Sequence, residues 1–188
     1  GEDFAAGHVP GSINVPLEDS FASYVGWLLP FGAPLVLVTP EPPAGTDREA
    51  AVQLFRIGFE DVRGRLEGGI EAWASSGRDL RAYPSATVDE LLAIARREPS
   101  RILDVRQLPE WEAGHLEGTR HLFVGELPDR LPTVPTGGEV VVACASGYRS
   151  SMAASLLDRA GVPVRLVAPG GVPEALRRRT RPVPEGPG

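Results

Sequence analysis

The chain contains a single cysteine, Cys144, and the residue types around it are those that can hold a negative charge. Cys144 opens the segment CASGYR, so four residues separate its thiol from the guanidinium of Arg149. Gly147 lies inside this segment, where a tight curl of the chain needs a backbone angle that other residues rarely adopt. The amide groups of such a curl point inward and can bind an anion. The segment therefore predicts a loop that stabilises negative charge on or beside the sulfur.

Two regular elements are predicted to position this loop. The apolar run Val140–Ala143 predicts a buried strand, which places Cys144 at the carboxyl end of that strand, where α/β proteins bind ligands. An apolar stripe containing Met152 predicts a helix that begins around 149–151, and a helix N-terminus carries partial positive charge. Together with Arg149, these features favour the thiolate over the thiol. A buried, inert core residue is the alternative interpretation of a lone cysteine.

The chain also repeats itself. The segment FAAGHVPGSINV at 4–15 aligns without a gap with WEAGHLEGTRHL at 111–122. Each copy continues with an apolar run, a helical pattern and a second short run, which is the order of parallel βαβ units. We therefore expect an α/β fold of two tandem domains, each a mainly parallel sheet flanked by helices. The expected parts are a first repeat at 1–80, a linker within 76–86, a second repeat at 85–180 and a flexible tail at 181–188.

The second repeat contains two elements that the first one lacks. Thr87, followed three positions later by Glu90, predicts a capping box at the start of a helix, and the run 101–105 predicts a buried strand. A parallel sheet without a central strand leaves backbone groups unpaired. We therefore expect the polypeptide to extend upstream of Gly1.

The first repeat is predicted to be catalytically silent. Thr39 occupies the position that Cys144 has in the second repeat, and it is followed by Pro40, Pro42 and Pro43. Proline has no backbone N–H, so these residues cannot donate the hydrogen bonds that an anion cradle needs. We expect this repeat to pack against the second one and to shape the entrance of its site.

Three motifs of the second repeat, ILDVR, EWEAGHLEGT and VVVACASGYRSSMAASLL, resemble those of rhodanese-like sulfurtransferases, and the resemblance covers almost the whole chain as two copies. It implies that Cys144 takes a sulfane sulfur from thiosulfate or a low-molecular-weight persulfide. The sulfur is then carried as a cysteine persulfide and passed to a thiol or cyanide acceptor, without a cofactor or a metal. Arg149 is implied as the catalytic partner that completes an electropositive rim. The implied substrate-binding residues are Ala145, Ser146, Gly147, Tyr148 and Ser150.

Loop length separates this resemblance from a related one. Phosphatases of similar architecture have one residue more between cysteine and arginine, which makes their loop wide enough for a phosphate. The shorter loop here leaves room for one additional sulfur atom, so sulfur transfer is favoured over phosphate hydrolysis. The side chains of Ser146 and Tyr148 could select the sulfur donor or could face solvent.

Other polar residues of the second repeat are predicted to support the site structurally. Asp104 ends the predicted strand, and we expect it to bond to loop amides or to an arginine; Arg106 lies in the same motif. His115 aligns with His8, which is present where no nucleophile exists, so tying a loop by a hydrogen bond is favoured over proton transfer. His121 has no metal-ligand spacing to His115 and is expected at the surface.

Aromatic residues mark corresponding positions of the two repeats. Phe4 and Trp111 align and are expected to be core anchors. Trp73 follows a Gly-Gly pair as the family pattern requires, whereas Pro173 and Leu176 depart from that pattern after Gly170-Gly171. These departures put the last helix of the second repeat in doubt.

Composition excludes several classes of function. The net charge of −6 argues against nucleic acid as the main partner, because binding it depends on neutralising phosphates. No apolar stretch reaches the roughly 18 residues that a membrane span requires. One cysteine cannot form an internal disulfide, and no signal peptide is visible at the start, so a cytoplasmic location is expected.

A second function remains open at this stage. The chain could be a non-catalytic or regulatory rhodanese-like module attached to an upstream metallo-β-lactamase-type persulfide dioxygenase or hydrolase domain. The stretch YVGWLLPFGAPLVLV at 24–38 resembles such fusions. Any metal would then be held by the upstream domain.

Overall fold

The computed structural model describes residues 1–40, 45–134 and 137–180, which fold as an α/β protein. The first repeat contains helices α1 (Glu2–Ala6), α2 (Phe21–Leu28), α3 (Thr46–Arg56) and α4 (Gly69–Ser75), and strands β1 (Leu35–Leu37) and β2 (Val62–Arg65). The second contains helices α5 (Val88–Arg97), α6 (Leu108–Ala113), α7 (Leu127–Arg130), α8 (Tyr148–Arg159) and α9 (Val172–Thr180), and strands β3 (Ser85–Ala86), β4 (Ile102–Asp104), β5 (Arg120–His121), β6 (Val140–Ala143) and β7 (Val164–Val167).

The second repeat is built on a sheet in which the described strands lie in the order β3-β7-β6-β4-β5 and every described pair is parallel. Strand β6 is central, and all four of its residues are buried. Helices pack on both faces, so the side chains of β6 belong to two separate apolar clusters. The predicted fold class, a mainly parallel sheet flanked by helices, is therefore confirmed.

Local sequence signals account for the helices that border the sheet. Thr87 and Glu90 form the predicted capping box at the start of α5, since each side chain accepts a hydrogen bond from the backbone N–H of the other. Helix α8 begins at Tyr148, one residue earlier than predicted. Its N-cap is Gly147, whose φ of 100° lies in the left-handed region that favours glycine.

The departures at Pro173 and Leu176 do not prevent the last helix of the second repeat from forming. Helix α9 forms, and Pro173 is its second residue. The backbone N–H groups of a first helical turn have no partner within the helix, so a proline there costs no hydrogen bond. Leu176, one residue beyond the position that corresponds to Trp73, packs at the edge of an apolar cluster.

The first repeat pairs β1 with β2 in parallel and has an apolar cluster of its own. The first repeat contacts the second along α8. Asn14 donates a hydrogen bond from its side chain to the hydroxyl of Ser151 and another from its backbone N–H to the hydroxyl of Ser155. The predicted linker is partly structured: Arg81 forms an antiparallel bridge with His8. Its last two residues, 85–86, are strand β3 of the second sheet, and the predicted tail at 181–188 lies outside the described residues.

Among the described helices, none has the length and apolar composition needed to cross a membrane.

Candidate active site

Cys144 lies where it was predicted, directly after the central strand β6 and before helix α8. The backbone N–H of Gly147 donates a hydrogen bond to its sulfur over 3.2 Å. The hydroxyl oxygen of Ser150 lies 3.4 Å from the same sulfur. The sulfur thus accepts a hydrogen bond from a main-chain N–H group at the N-terminus of a helix, where negative charge is stabilised.

The predicted ring of main-chain donors is only partly realised. Of the amides of 145–149, the described contacts bring that of Gly147 to the sulfur. Cys144 itself is 0% exposed and belongs to an apolar cluster of the second repeat. In the loop, Ser146 is exposed, while Ala145 is half-buried. The thiol therefore combines the two interpretations that the sequence left open: it is enclosed by apolar packing and also accepts a polar contact.

Close backbone approaches hold the loop in its curled form. The backbone N–H of Val172 donates to the carbonyl oxygen of Cys144 over 2.8 Å. A side chain at Gly171 would overlap that carbonyl oxygen and the backbone of Ala145. A Cβ at Gly147 would lie 3.1 Å from the Cβ of Ala168. Contact with the cysteine loop thus explains Gly171, the second glycine of the Gly-Gly pair in the second repeat.

The predicted electropositive rim required a free positive charge on Arg149. In the structure, that charge is paired. Both terminal nitrogens of its guanidinium donate to the carboxylate of Glu110 on α6, one of them over 2.8 Å. This bonding lowers the pKa of Glu110 and raises that of Arg149. Glu110 was missed by sequence reasoning. The available signal was its place beside Trp111 in the repeated motif, where the first repeat has an aligned carboxylate, Asp3.

Asp104 and Arg106 form a buried ion pair next to the site. The guanidinium of Arg106 donates to both carboxylate oxygens of Asp104, over 2.9 and 2.6 Å, and to the carbonyl oxygen of Gly114 over 2.9 Å. The pair fixes the segment that follows α6. The expected surface position of His121 was wrong, because His121 is half-buried and its Nε2 donates to the carbonyl oxygen of Arg106 over 2.7 Å.

The two aligned histidines make the same contact within their own repeats, although His8 is buried and His115 is exposed. Nδ1 of His115 lies 3.1 Å from the carbonyl oxygen of Trp111, and Nδ1 of His8 lies 2.8 Å from that of Phe4. Each imidazole also stacks on the aromatic ring of that partner. Since the contact is the same with and without a nearby thiol, it orders the turn after the helix. Phe4 and Trp111 are half-buried stacking partners rather than fully buried core anchors.

The silent repeat reaches the site through helix α2. The ring of Tyr24 packs edge-to-face on Tyr148 with centroids 5.7 Å apart, and Tyr148 directly follows the loop glycine. Tyr24 is buried, which raises its pKa; Arg149, Cys144 and Glu110 also act on it electrostatically. Sequence reasoning did not single out Tyr24, because no local pattern indicates which residue of one repeat meets the other.

The position that corresponds to Cys144 in the first repeat is occupied by Thr39, two residues after the end of β1. Thr39 is half-buried, and its hydroxyl oxygen is enclosed without a hydrogen-bond partner among the described residues. Pro42 and Pro43 lie outside the described residues. Within the described residues, no group of three or more histidine, cysteine, aspartate or glutamate side chains is placed to hold a metal ion.

Comparison with known proteins decides the family. The rhodanese-like domain family matches the chain twice, at residues 1–76 and 87–174. The chain belongs to the rhodanese-like domain family. The two matches agree with the tandem repeat. Residues 77–86 lie between them.

The curated relatives of this rhodanese-like chain match parts of it. YrkF of Bacillus subtilis, provisionally named a sulfur carrier protein, is 38% identical over 64 residues, 34% of this chain and 35% of YrkF. The HTH-type transcriptional regulator Rv0324 of Mycobacterium tuberculosis is 29% identical over 111 residues, 54% of this chain and 49% of the regulator. The chain thus spans about a third to a half of the length of these two relatives.

Solved structures also align with this chain, in part or over most of its length. The thiosulfate sulfurtransferase of Pseudomonas aeruginosa aligns over 95% of this chain and 38% of its own, at 23% identity and a TM-score of 0.45. A rhodanese-like domain protein from Staphylococcus aureus aligns over 46% of this chain and 86% of its own, at 27% identity and a TM-score of 0.43.

Proposed function

We propose that the chain is a sulfurtransferase that carries sulfur as a persulfide of Cys144. The observation that carries this proposal is the environment of the thiol. Its sulfur lies at the carboxyl end of the central strand, at the N-terminus of α8, and accepts a hydrogen bond from the amide of Gly147. The same amide and helix end would stabilise the terminal sulfur anion of a persulfide. A purely structural cysteine needs none of these contacts.

The first half-reaction loads the sulfur. The thiolate of Cys144 attacks the outer sulfur of thiosulfate, a new S–S bond forms, the S–S bond of thiosulfate breaks, and sulfite leaves with its electron pair. With a low-molecular-weight persulfide as donor, the leaving group is the thiol, which takes up the persulfide proton. Charge and atoms balance in both cases, and no external oxidant is needed.

The second half-reaction returns the enzyme to its starting state. A nucleophilic acceptor, either cyanide or a thiolate, attacks the outer sulfur of the Cys144 persulfide. The bond between the two sulfurs breaks, and the thiolate of Cys144 leaves. Cyanide yields thiocyanate, and a thiolate yields a new persulfide.

Sulfur is favoured over phosphate by the size of the loop. Four residues lie between Cys144 and Arg149, and the guanidinium of Arg149 is held by Glu110 instead of extending over the loop. A phosphate needs donors for three oxygens, whereas a persulfide adds a single sulfur atom. Turnover of p-nitrophenyl phosphate by the purified protein would contradict this choice.

The decisive experiment measures persulfide formation and turnover together. The protein is incubated with thiosulfate or glutathione persulfide and analysed by intact-mass spectrometry, where we expect an adduct of about 32 Da on the thiol. Cyanide should then release thiocyanate and remove the adduct. The Cys144→Ser variant should show neither. Thiocyanate release that persists in that variant would overturn the proposed nucleophile.

A second candidate function is supported by the complete burial of Cys144. A module that acts only through contact with another domain, such as an upstream hydrolase domain, has no need for an accessible thiol. In that case neither donor would add mass to the protein, and Cys144→Ser would leave all partner binding unchanged. The two candidates therefore give opposite results in the same mass measurement.

A further inference from the structure

The first repeat packs against the helix that follows the cysteine loop. Asn14 is bonded to Ser151 and Ser155 on α8, and Tyr24 packs on Tyr148 at the first turn of the same helix. The chain between Asn14 and Tyr24 therefore crosses the N-terminal part of α8, where the cysteine loop ends. The side chains that it presents there come from a repeat without a nucleophile.

Four aromatic rings, here called the aromatic wall, continue outward from the loop. They are Tyr148, Tyr24, Trp27 and Phe123. Tyr24 meets Trp27 edge-to-face at 5.4 Å, and Trp27 meets Phe123 at 5.5 Å. Tyr24 is buried, whereas Trp27 is 49% exposed. The wall thus runs from Tyr148, directly after the loop glycine, to an indole ring that is accessible to solvent.

Two carboxylates lie near the Tyr148 end of this wall. Glu18 and Asp19 are exposed and directly precede α2. Burial raises the pKa of Tyr148 to about 12, and the negative charges of Glu18 and Asp19 contribute to that rise. Among the described groups that act electrostatically on Tyr24 and Tyr148, Arg149 is the one cation, and its charge is offset by Glu110.

Aromatic faces together with carboxylates bind ammonium groups and repel anions. We propose that the aromatic wall lines the approach to the thiol, that the first repeat thereby determines donor specificity, with Tyr24, Glu18 and Asp19 as specificity-determining residues, and that the preferred donor is the persulfide of a small thiol bearing an ammonium group. Thiosulfate, a dianion, is disfavoured at the same entrance. This inference rests on the sulfur-transfer function proposed above.

The test uses three persulfides that share a two-carbon chain and differ in the head group: those of cysteamine (ammonium), 2-mercaptoethanol (hydroxyl) and 2-mercaptoethanesulfonate (sulfonate). We expect kcat/KM for persulfide consumption to fall in that order, by about threefold per step at low ionic strength, and the differences to shrink in salt because exposed charges are screened. Equal values for the three donors would overturn the inference while leaving sulfur transfer intact.

Matched variants separate the local charges from the net charge. Glu18→Gln/Asp19→Asn should bring the three values close together, whereas Glu60→Gln/Asp61→Asn, which removes the same charge from exposed positions of the same repeat, should preserve the order. Equal flattening by both double variants would overturn the inference, because net charge alone would then explain the selectivity.

Tyr24 is tested by two substitutions. Tyr24→Phe keeps the ring and should keep the preference, whereas Tyr24→Leu should lower kcat/KM for the cysteamine donor about threefold to tenfold and leave the sulfonate donor nearly unchanged. Thermal unfolding of both variants establishes that they fold. An equal loss for all donors would show a packing role and overturn the assignment of Tyr24. Absence of transfer from every donor in the unmodified protein would remove the proposed function and this inference together.

Discussion

Nε2 of His8 in the first repeat lies 3.2 Å from a carboxylate oxygen of Asp158 in the second, although 150 positions separate them in the chain. The other oxygen of Asp158 accepts a hydrogen bond from Arg81 over 2.8 Å. Asp158 and His8 are both buried, and Tyr83 packs beside the imidazole. One carboxylate on α8 thus joins the start of the first repeat to the segment between the repeats.

Removing this carboxylate should loosen the contact between the repeats. Asp158→Asn keeps the size of the side chain but leaves His8 and Arg81 without their charged partner, so we expect a loss of about 1–3 kcal/mol in the free energy of unfolding measured in urea. The control is Asp61→Asn, which breaks an exposed pair with Arg63 and should cost less than about 1 kcal/mol. Equal losses would show that Asp158 contributes no more than a surface residue.

Removing the carboxylate of the buried pair Asp104–Arg106 should lower the free energy of unfolding more than removing that of Asp158. Asp104→Asn leaves the guanidinium of Arg106, which is 3% exposed, without its carboxylate. An uncompensated buried charge is strongly destabilising, so we expect a loss of about 3 kcal/mol in the free energy of unfolding. Glu98→Gln, which breaks an exposed pair with Arg101, is the control and should lie within about 1 kcal/mol of the unmodified protein. A change of that small size in Asp104→Asn would contradict the prediction.

The glycine beside the loop should be intolerant of a side chain. Gly171→Ala places a methyl group onto the carbonyl oxygen of Cys144, so the loop must shift. We expect a lower melting temperature, corresponding to about 1–3 kcal/mol, together with reduced thiocyanate formation. Gly26→Ala on α2 is the control, because no atom lies within 4 Å of a Cβ there. Unchanged stability and activity in Gly171→Ala would show that the loop is not held at this contact.

The ion pair between Glu110 and Arg149 predicts a pH dependence of stability. Hydrogen bonding to Arg149 lowers the pKa of Glu110 below its ordinary value of 4.5 in the folded state. A lowered carboxyl pKa stabilises the fold fully above the unfolded-state value, and this contribution is lost as the pH falls through the folded-state pKa. Glu110→Gln should therefore be less stable than the unmodified protein at pH 7, and this deficit should be smaller at about pH 3.

The comparison is made by urea unfolding at both pH values. Glu112→Gln on the same helix is the control, because Glu112 is exposed, and it should match the unmodified protein at both. A deficit of Glu110→Gln that is equally large at the acidic pH would contradict the assigned role, since the stabilisation from a lowered carboxyl pKa decreases as the pH falls.

Features that depend on neighbouring residues were predictable. The capping box of Thr87, the strand before Cys144 and the start of α8 follow from side chains within a few positions of one another. The tandem architecture was also visible, because a duplicated chain carries its own alignment. The identity of the lone cysteine as the candidate nucleophile came from its place between a strand and a helix.

Tertiary structure decided the features that depend on distant residues. The pairing of Arg149 with Glu110 turns a predicted free cation into a neutral pair, and the packing of Tyr24 on Tyr148 brings the first repeat next to the residue that follows the loop glycine. No local pattern encodes either contact, since each depends on how α8 packs against an element far away in the chain. The amino-acid sequence by itself determined the elements and the position of the thiol. The ion pair and the aromatic contact near the cysteine loop were decided by packing, because such contacts depend on separation in space and not on separation along the chain.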